Sequence, residues 1–177
     1  MAKLCLGQKP AETASALVVA VADLGSLSAT SKGEIEWMRR SNFSAEKIHD
    51  YERKMKIGRI LFMPGPFGIF AAIKRALFHL LHLRMVIGMP PLSRQDLLKW
   101  ATKSTSLACQ NLMIAVEALG MNTCPMEGFD SRRLSRYLRL SSRHHEIVMV
   151  IAIGKKSSGY RETPQWRRPL DRTVTVL

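Results

Sequence analysis

The chain has 177 residues, 46% of them hydrophobic and 23% charged, with 27 Lys and Arg against 14 Asp and Glu. This composition excludes a disordered polyelectrolyte, and the length suits one domain with a sizeable core. A net charge of +13 attracts polyanions, anionic membranes or phosphate-bearing cofactors, but the basic residues are scattered and match no nucleic-acid-binding motif, so no nucleic-acid partner is expected.

The opening "MAKLCLGQKPAETASALVVAV" carries an apolar run after a lysine. Lys9, Pro10 and Glu12 interrupt it too early for a leader segment. Residues 3–8 read as the tail of a helix that Pro10 closes, and residues 15–23, short and β-branched, read as a core strand. The small, polar stretch from Gly25 to Gly33 reads as a loop. "GEIEWMRRSNFSAEKIHDYERKMKIGRILF" then mixes charges with apolar residues at helical spacing, predicting one or two exposed helices.

The most apolar part follows, "MPGPFGIFAAIKRALFHLLHLRMVIGMPP". Its inner portion predicts a helix with Phe70, Ile73, Leu77, Leu80, Leu81 and Arg84 at i, i+3, i+4 intervals. Lys74, Arg75 and Arg84 interrupt any run of about 18 apolar residues, so a membrane-spanning helix is not expected. Two readings remain open: a helix buried against the core or a partner subunit, and a basic helix anchoring the protein on a membrane surface through residues 66–89. His79 and His82 lie three apart with no third ligand in view, so they read as packing residues, and no metal site is expected.

"SRQDLLKWATKSTSLACQNLMIAVEALG" predicts a long helix, with Ser93 and Asp96 as a capping box and Gly120 as the left-handed terminator. Leu97, Ala101, Ser104, Ala108, Leu112, Ala115 and Leu119 form a small-residue stripe suited to close helix packing. The next residues, "TCPMEGFD", read as a loop that leads to a short basic helix, capped by Asp130 or Ser131 and reaching about Arg139. "EIVMVIAIG" is apolar on both faces, as a central strand should be. The rest is a basic, proline-containing arm. Cys5, Cys109 and Cys124 form no metal spacing and cannot all pair, which points to a reducing, cytoplasmic location.

Several of these stretches together carry a resemblance. "ALGMNTCPMEGFD", then "YLRL", "EIVMVIAIG" and "RRPLDRTV", with "AKLCLGQKPAETASALVVAVAD" upstream, are similar to segments of the FMN-dependent nitroreductase family. The similarity covers residues 1–24 and 93–177, and residues 25–92 correspond to a variable helical excursion within a single domain spanning 1–177. The resemblance implies an α+β fold with a mixed central sheet flanked by helices, here shortened at its N-terminus, and an intertwined homodimer. It also implies FMN as cofactor and NAD(P)H as electron donor. A small-molecule acceptor of nitroaromatic or quinone type would be reduced by ping-pong hydride transfer.

Carried over residue by residue, Pro125 and Met126 would pack on the isoalloxazine, and the N–H groups of Glu127 and Gly128 would face its N5 and O4 edge. No catalytic side chain is implied, because the flavin carries the chemistry. In "PQWRRP", Gln165 and Arg167 correspond to the two positions that grip the FMN phosphate, with Gln165 standing where the family carries Lys or Arg and Arg168 beside them as the compensating charge. The alternatives are a non-catalytic remnant of the same fold with weak or absent FMN binding, and the membrane-surface protein anchored through 66–89.

Overall fold

A computed structural model describes residues 1–62, 69–86, 88, 93–161 and 163–176. A single turn of 3-10 helix at Ala2–Cys5 leads to α1 (Lys9–Thr13), followed by β1 (Ala16–Asp23), α2 (Leu27–Arg40), α3 (Ala45–Phe62) and α4 (Ile69–His82). Then come α5 (Arg94–Ala118), β2 (Asn122–Met126), α6 (Ser131–Tyr137) and β3 (His145–Gly154), with a last 3-10 turn at Leu170–Arg172 in the arm.

The three strands form one sheet in the order β1-β3-β2. β3 is the central strand, as its two-sided apolar pattern requires. Its register runs Ala16↔Ile153 to Asp23↔His145 on one edge and Asn122↔Gly154 to Met126↔Val150 on the other. The α+β class agrees with expectation, but the described sheet is antiparallel rather than mixed. β1 and β2 both run against β3, so they are parallel to one another without being neighbours, and no parallel ladder forms among the described strands. Between Ala20 and Val21 the register shifts by one residue on β3, leaving Val148 as the extra residue of a bulge.

That bulge places Ile147, Val150 and Ala152 on one face of β3. They bury themselves with Cys5, Ala11, Met126 and Leu134 in one cluster. Ile151 is equally buried but absent from that cluster. By alternation it points to the opposite face, which α5 covers in contact with all three strands. Burying both faces makes β3 the most water-excluded element, and each of its large side chains contributes roughly 1.5–3 kcal/mol.

α5 starts and stops as its sequence predicts. Ser93 Oγ accepts from the Asp96 N–H while the Asp96 carboxylate accepts from the Ser93 N–H, a complete capping box. At the far end Gly120 has φ 73°; its N–H donates to the Glu117 carbonyl and that of Met121 to the Val116 carbonyl. This pair of bonds is a Schellman terminus, which needs a residue free to adopt positive φ. The buried side of α5 is Leu97, Ala101, Cys109 and Val116. The expected small-residue stripe is only partly there: Ser104, Ala108, Ala115 and Leu119 are exposed in the single chain.

Three local expectations are corrected. Pro10 opens α1 instead of closing a helix, because proline's missing N–H costs nothing in a helix's first turn. The Gly25–Gly33 stretch is mostly helical, since α2 begins at Leu27 and absorbs Gly33. "TCPM" belongs to strand β2 and not to the loop; Pro125 fits there because β2 is an edge strand, where a missing donor breaks no inner ladder. The two helices expected between residues 34 and 62 are present as α2 and α3. Residues 63–68, 87 and 89–92, which include parts of the candidate membrane anchor at 66–89, lie outside the described residues, as does the Phe70 side chain.

α2 and α3 form a hairpin clasped by the Arg39–Glu52 ion pair at 2.9 Å and by the Tyr51 hydroxyl donating to Glu34. The Glu34 carboxylate holds the Tyr51 phenol in its protonated form and pushes its pKa up to about 12 from 10.0. The stabilisation is therefore complete below pH 10 and is lost as pH rises towards 12. Ultraviolet titration of tyrosinate should show one late-titrating group, and Tyr51→Phe should remove that group alone.

Candidate functional site

The residues singled out in "CPMEGFD" lie where β2 leaves the sheet and turns into α6. The strand ends at Met126, whose side chain is 2% exposed and packed with Leu134, Ile147 and Val150. Pro125, Glu127 and Gly128 are exposed. Alternation along an edge strand accounts for this split: Met126 points into the core, and its neighbours face outward. Met126 therefore supports the loop from behind.

The loop is tied from two sides. Asp130 caps α6 through its side chain, which accepts from the Arg133 N–H at 2.9 Å, and pairs with the Arg133 guanidinium at 3.4 Å. The N-terminal segment supplies the other restraint. The Asp130 N–H donates to the Leu4 carbonyl at 2.8 Å, and Gln8 Nε2 donates to the Gly128 carbonyl at 2.6 Å. Leu6 and Gly7 both take positive φ, 54° and 67°, which reverses the chain and brings Gln8 over the loop.

A β-carbon on Gly128 would lie 3.0 Å from Gln8 Nε2, so glycine allows this close approach. The Glu127 and Gly128 N–H groups donate to no recorded acceptor among the described residues. Two adjacent unpaired donors, an exposed proline and a restrained glycine form a surface that can meet a flat, electron-rich group. Gln8 was not among the expected site residues. Its only sequence signal is a polar side chain between two short helices, and its 120-residue separation from Gly128 hides the bond.

Gln165, Arg167 and Arg168 are exposed on the arm. Arg167 donates to the Gln165 side chain and to the Trp166 carbonyl. All recorded hydrogen bonds of residues 163–176 run to positions within four residues. Among the described residues no hydrogen bond joins the arm set to the loop set. Cys5 and Cys109 are buried and all three cysteines are free; burial pushes the Cys109 thiol up, keeping it protonated. Among the described residues no group of three or more His, Cys, Asp or Glu side chains could hold a metal ion.

Fold and loop together define an α+β protein with an exposed, backbone-lined loop at the edge of its sheet. The sequence model of the nitroreductase family matches residues 15–155, and the chain belongs to that family. Over 77 residues it is 34% identical to a Bacillus subtilis protein named "Putative NAD(P)H nitroreductase MhqN", covering 44% of this chain and 37% of that one. Over 96 residues it is 29% identical to the oxygen-insensitive NAD(P)H nitroreductase of Salmonella typhimurium, covering 53% and 44% of the two chains. The matches span less than half the length of these relatives.

Among solved structures, one from Exiguobacterium sibiricum, titled a "putative nitroreductase in complex with FMN", superposes with a TM-score of 0.66 at 17% identity. The superposition covers 99% of this chain and 69% of that one.

The bond from Gln8 to the Gly128 carbonyl is an exposed one, worth about 1 kcal/mol at most. Gln8→Ala should leave the fold intact with a stability loss of about that size, measured by denaturant unfolding. It should also speed amide exchange at Asp130, whose N–H donates to the Leu4 carbonyl in the same segment.

Proposed function

We infer that this protein is an FMN-dependent NAD(P)H oxidoreductase that reduces small-molecule acceptors of nitroaromatic or quinone type by a ping-pong sequence. The observation that carries this reading is the loop at the end of β2. In a chain of this family, it offers two adjacent unpaired N–H groups beside a glycine held by Gln8. These residues fit the ring of a flavin, since they combine two backbone donors with an exposed apolar proline. FMN, when bound, supplies a ring that accepts a hydride from the donor and passes it to the acceptor.

The chain's own part is positioning and electrostatics. The Glu127 and Gly128 N–H groups donate towards a ring edge that gains negative charge, and no titratable side chain is needed for that. Pro125 presents a rigid apolar surface, while Met126 fixes the strand end from the core. On the arm, Arg167 and Arg168 supply fixed positive charge for a phosphate, with the Gln165 amide orienting the Arg167 guanidinium.

The exposed side of α5 supports a homodimer. Trp100, Leu107 and Ile114 stand seven residues apart and are 52%, 70% and 58% exposed, with small Ser104 and Ala108 between them and Ala115 and Ala118 after them. A large apolar face with small neighbours suits close packing against the same helix of a second copy. Leu107→Glu should shift the sedimentation coefficient of the purified protein from dimer to monomer.

An absorption spectrum tests the cofactor reading. Flavin bands that survive desalting and bleach on adding NADH or NADPH are the expected result. A folded chain that stays colourless in excess FMN would make it a non-catalytic member of the family. Arg167→Ala should raise the FMN dissociation constant by roughly tenfold, the loss of one charge-assisted contact. Titration of flavin fluorescence measures it, and an unaltered constant would remove the arm from the phosphate site.

A further inference from the structure

We propose that α4 is an interfacial helix that seats this protein on an anionic lipid surface, a property independent of the flavin reading. Helices normally turn their apolar side inward. α4 does the reverse. Ile73, Leu77 and Leu80, at i, i+4 and i+7, are 60%, 53% and 67% exposed. The half-buried positions of the described part are Lys74 and Phe78, on another side of the helix. The apolar surface continues past the helix end through Leu83, Met85 and Val86, all exposed. No other described helix or strand packs extensively against α4.

Charge selects the occupant. From residue 69 to 86 the sequence "IFAAIKRALFHLLHLRMV" carries Lys74, Arg75 and Arg84, together with His79 and His82, and contains no Asp or Glu. Arg75 lies on the polar side opposite the apolar stripe and Arg84 is exposed just past the helix end, the division in which cations stay at headgroups while leucines enter the acyl boundary. An anionic bilayer complements both the leucines and the positive charge of an acid-free segment. At 14 residues α4 is about 21 Å long, against a hydrocarbon thickness of about 30 Å. Among the described residues no helix is long and apolar enough to cross a membrane, so α4 lies along the surface.

The test is flotation of the full-length chain with vesicles of phosphatidylcholine alone and of equimolar phosphatidylcholine and phosphatidylserine. The expected result is co-flotation with the anionic vesicles, released by high salt. Leu77→Glu with Leu80→Glu should weaken binding by about a hundredfold or more, the size that losing two buried leucines predicts. Leu77→Ser with Leu80→Ser is the milder variant should the acidic one not fold, as judged by circular dichroism.

Arg75→Gln with Arg84→Gln should lose roughly fivefold per charge on anionic vesicles only. A wild-type chain that stays with the protein fraction overturns the proposal, as does flotation unchanged by either leucine variant. A wild-type dimer that ignores vesicles, and that the leucine variant dissociates, would assign this face to a second copy.

Discussion

Everything in this molecule leans on β3 being dry on both faces. Ile147, Val150 and Ala152 face the N-terminal segment and Leu134, while Ile151 faces α5. Val150, Ile151 and Leu134 are fully buried, so the centre of the sheet offers no route for water. A strand so placed needs partners on both edges to satisfy its backbone, and β1 and β2 provide them. The edge strand β2 can then carry what a central strand could not, a proline, while the bulge that faces β1 falls on β3 itself at Val148. Pro125 sits in the sheet at an edge, and the chain beyond it is free to form the exposed loop.

That loop shows how an unremarkable packing arrangement becomes a candidate site. Met126 anchors it by burial and Asp130 by capping, leaving only Glu127 and Gly128 with open donors. The Leu6–Gly7 reversal brings Gln8 to the Gly128 carbonyl, so the loop is held by a segment 120 positions away. Membership of the nitroreductase family rests on residues 15–155, which exclude both this tether and the basic arm. The Gln8 tether therefore lies outside the stretch that identifies the family, while Met126, Gly128 and Asp130 lie inside it.

Two apolar surfaces remain outside the single-chain core, and their chemistry differs. The exposed side of α5 alternates large residues with Ala and Ser and carries a cation only at its margin. α4 presents leucines in a stretch that carries cations and no acidic residue. The first suits self-association through close backbone approach; the second suits a diffuse negative surface. The strongly basic composition is thus unevenly relevant: most Lys and Arg are solvated on helix faces, and those of α4 gain meaning from the apolar stripe beside them.

Local signals made much of this legible in advance. The capping box at Ser93, the Schellman glycine at 120, the cap at Asp130 and the two-faced apolar run of β3 each depend on neighbours within a few residues. The chain's own residues determined these elements, their order and the resemblance carried by the "CPMEGF" loop. Sequence could not say that Met126 turns inward while Pro125 and Glu127 turn outward, because that depends on how far β2 extends along β3. Nor could it reveal that Gln8 reaches Gly128, or which side of α4 meets the rest of the chain. Those outcomes depend on pairings between residues far apart in sequence, and only tertiary packing decides them.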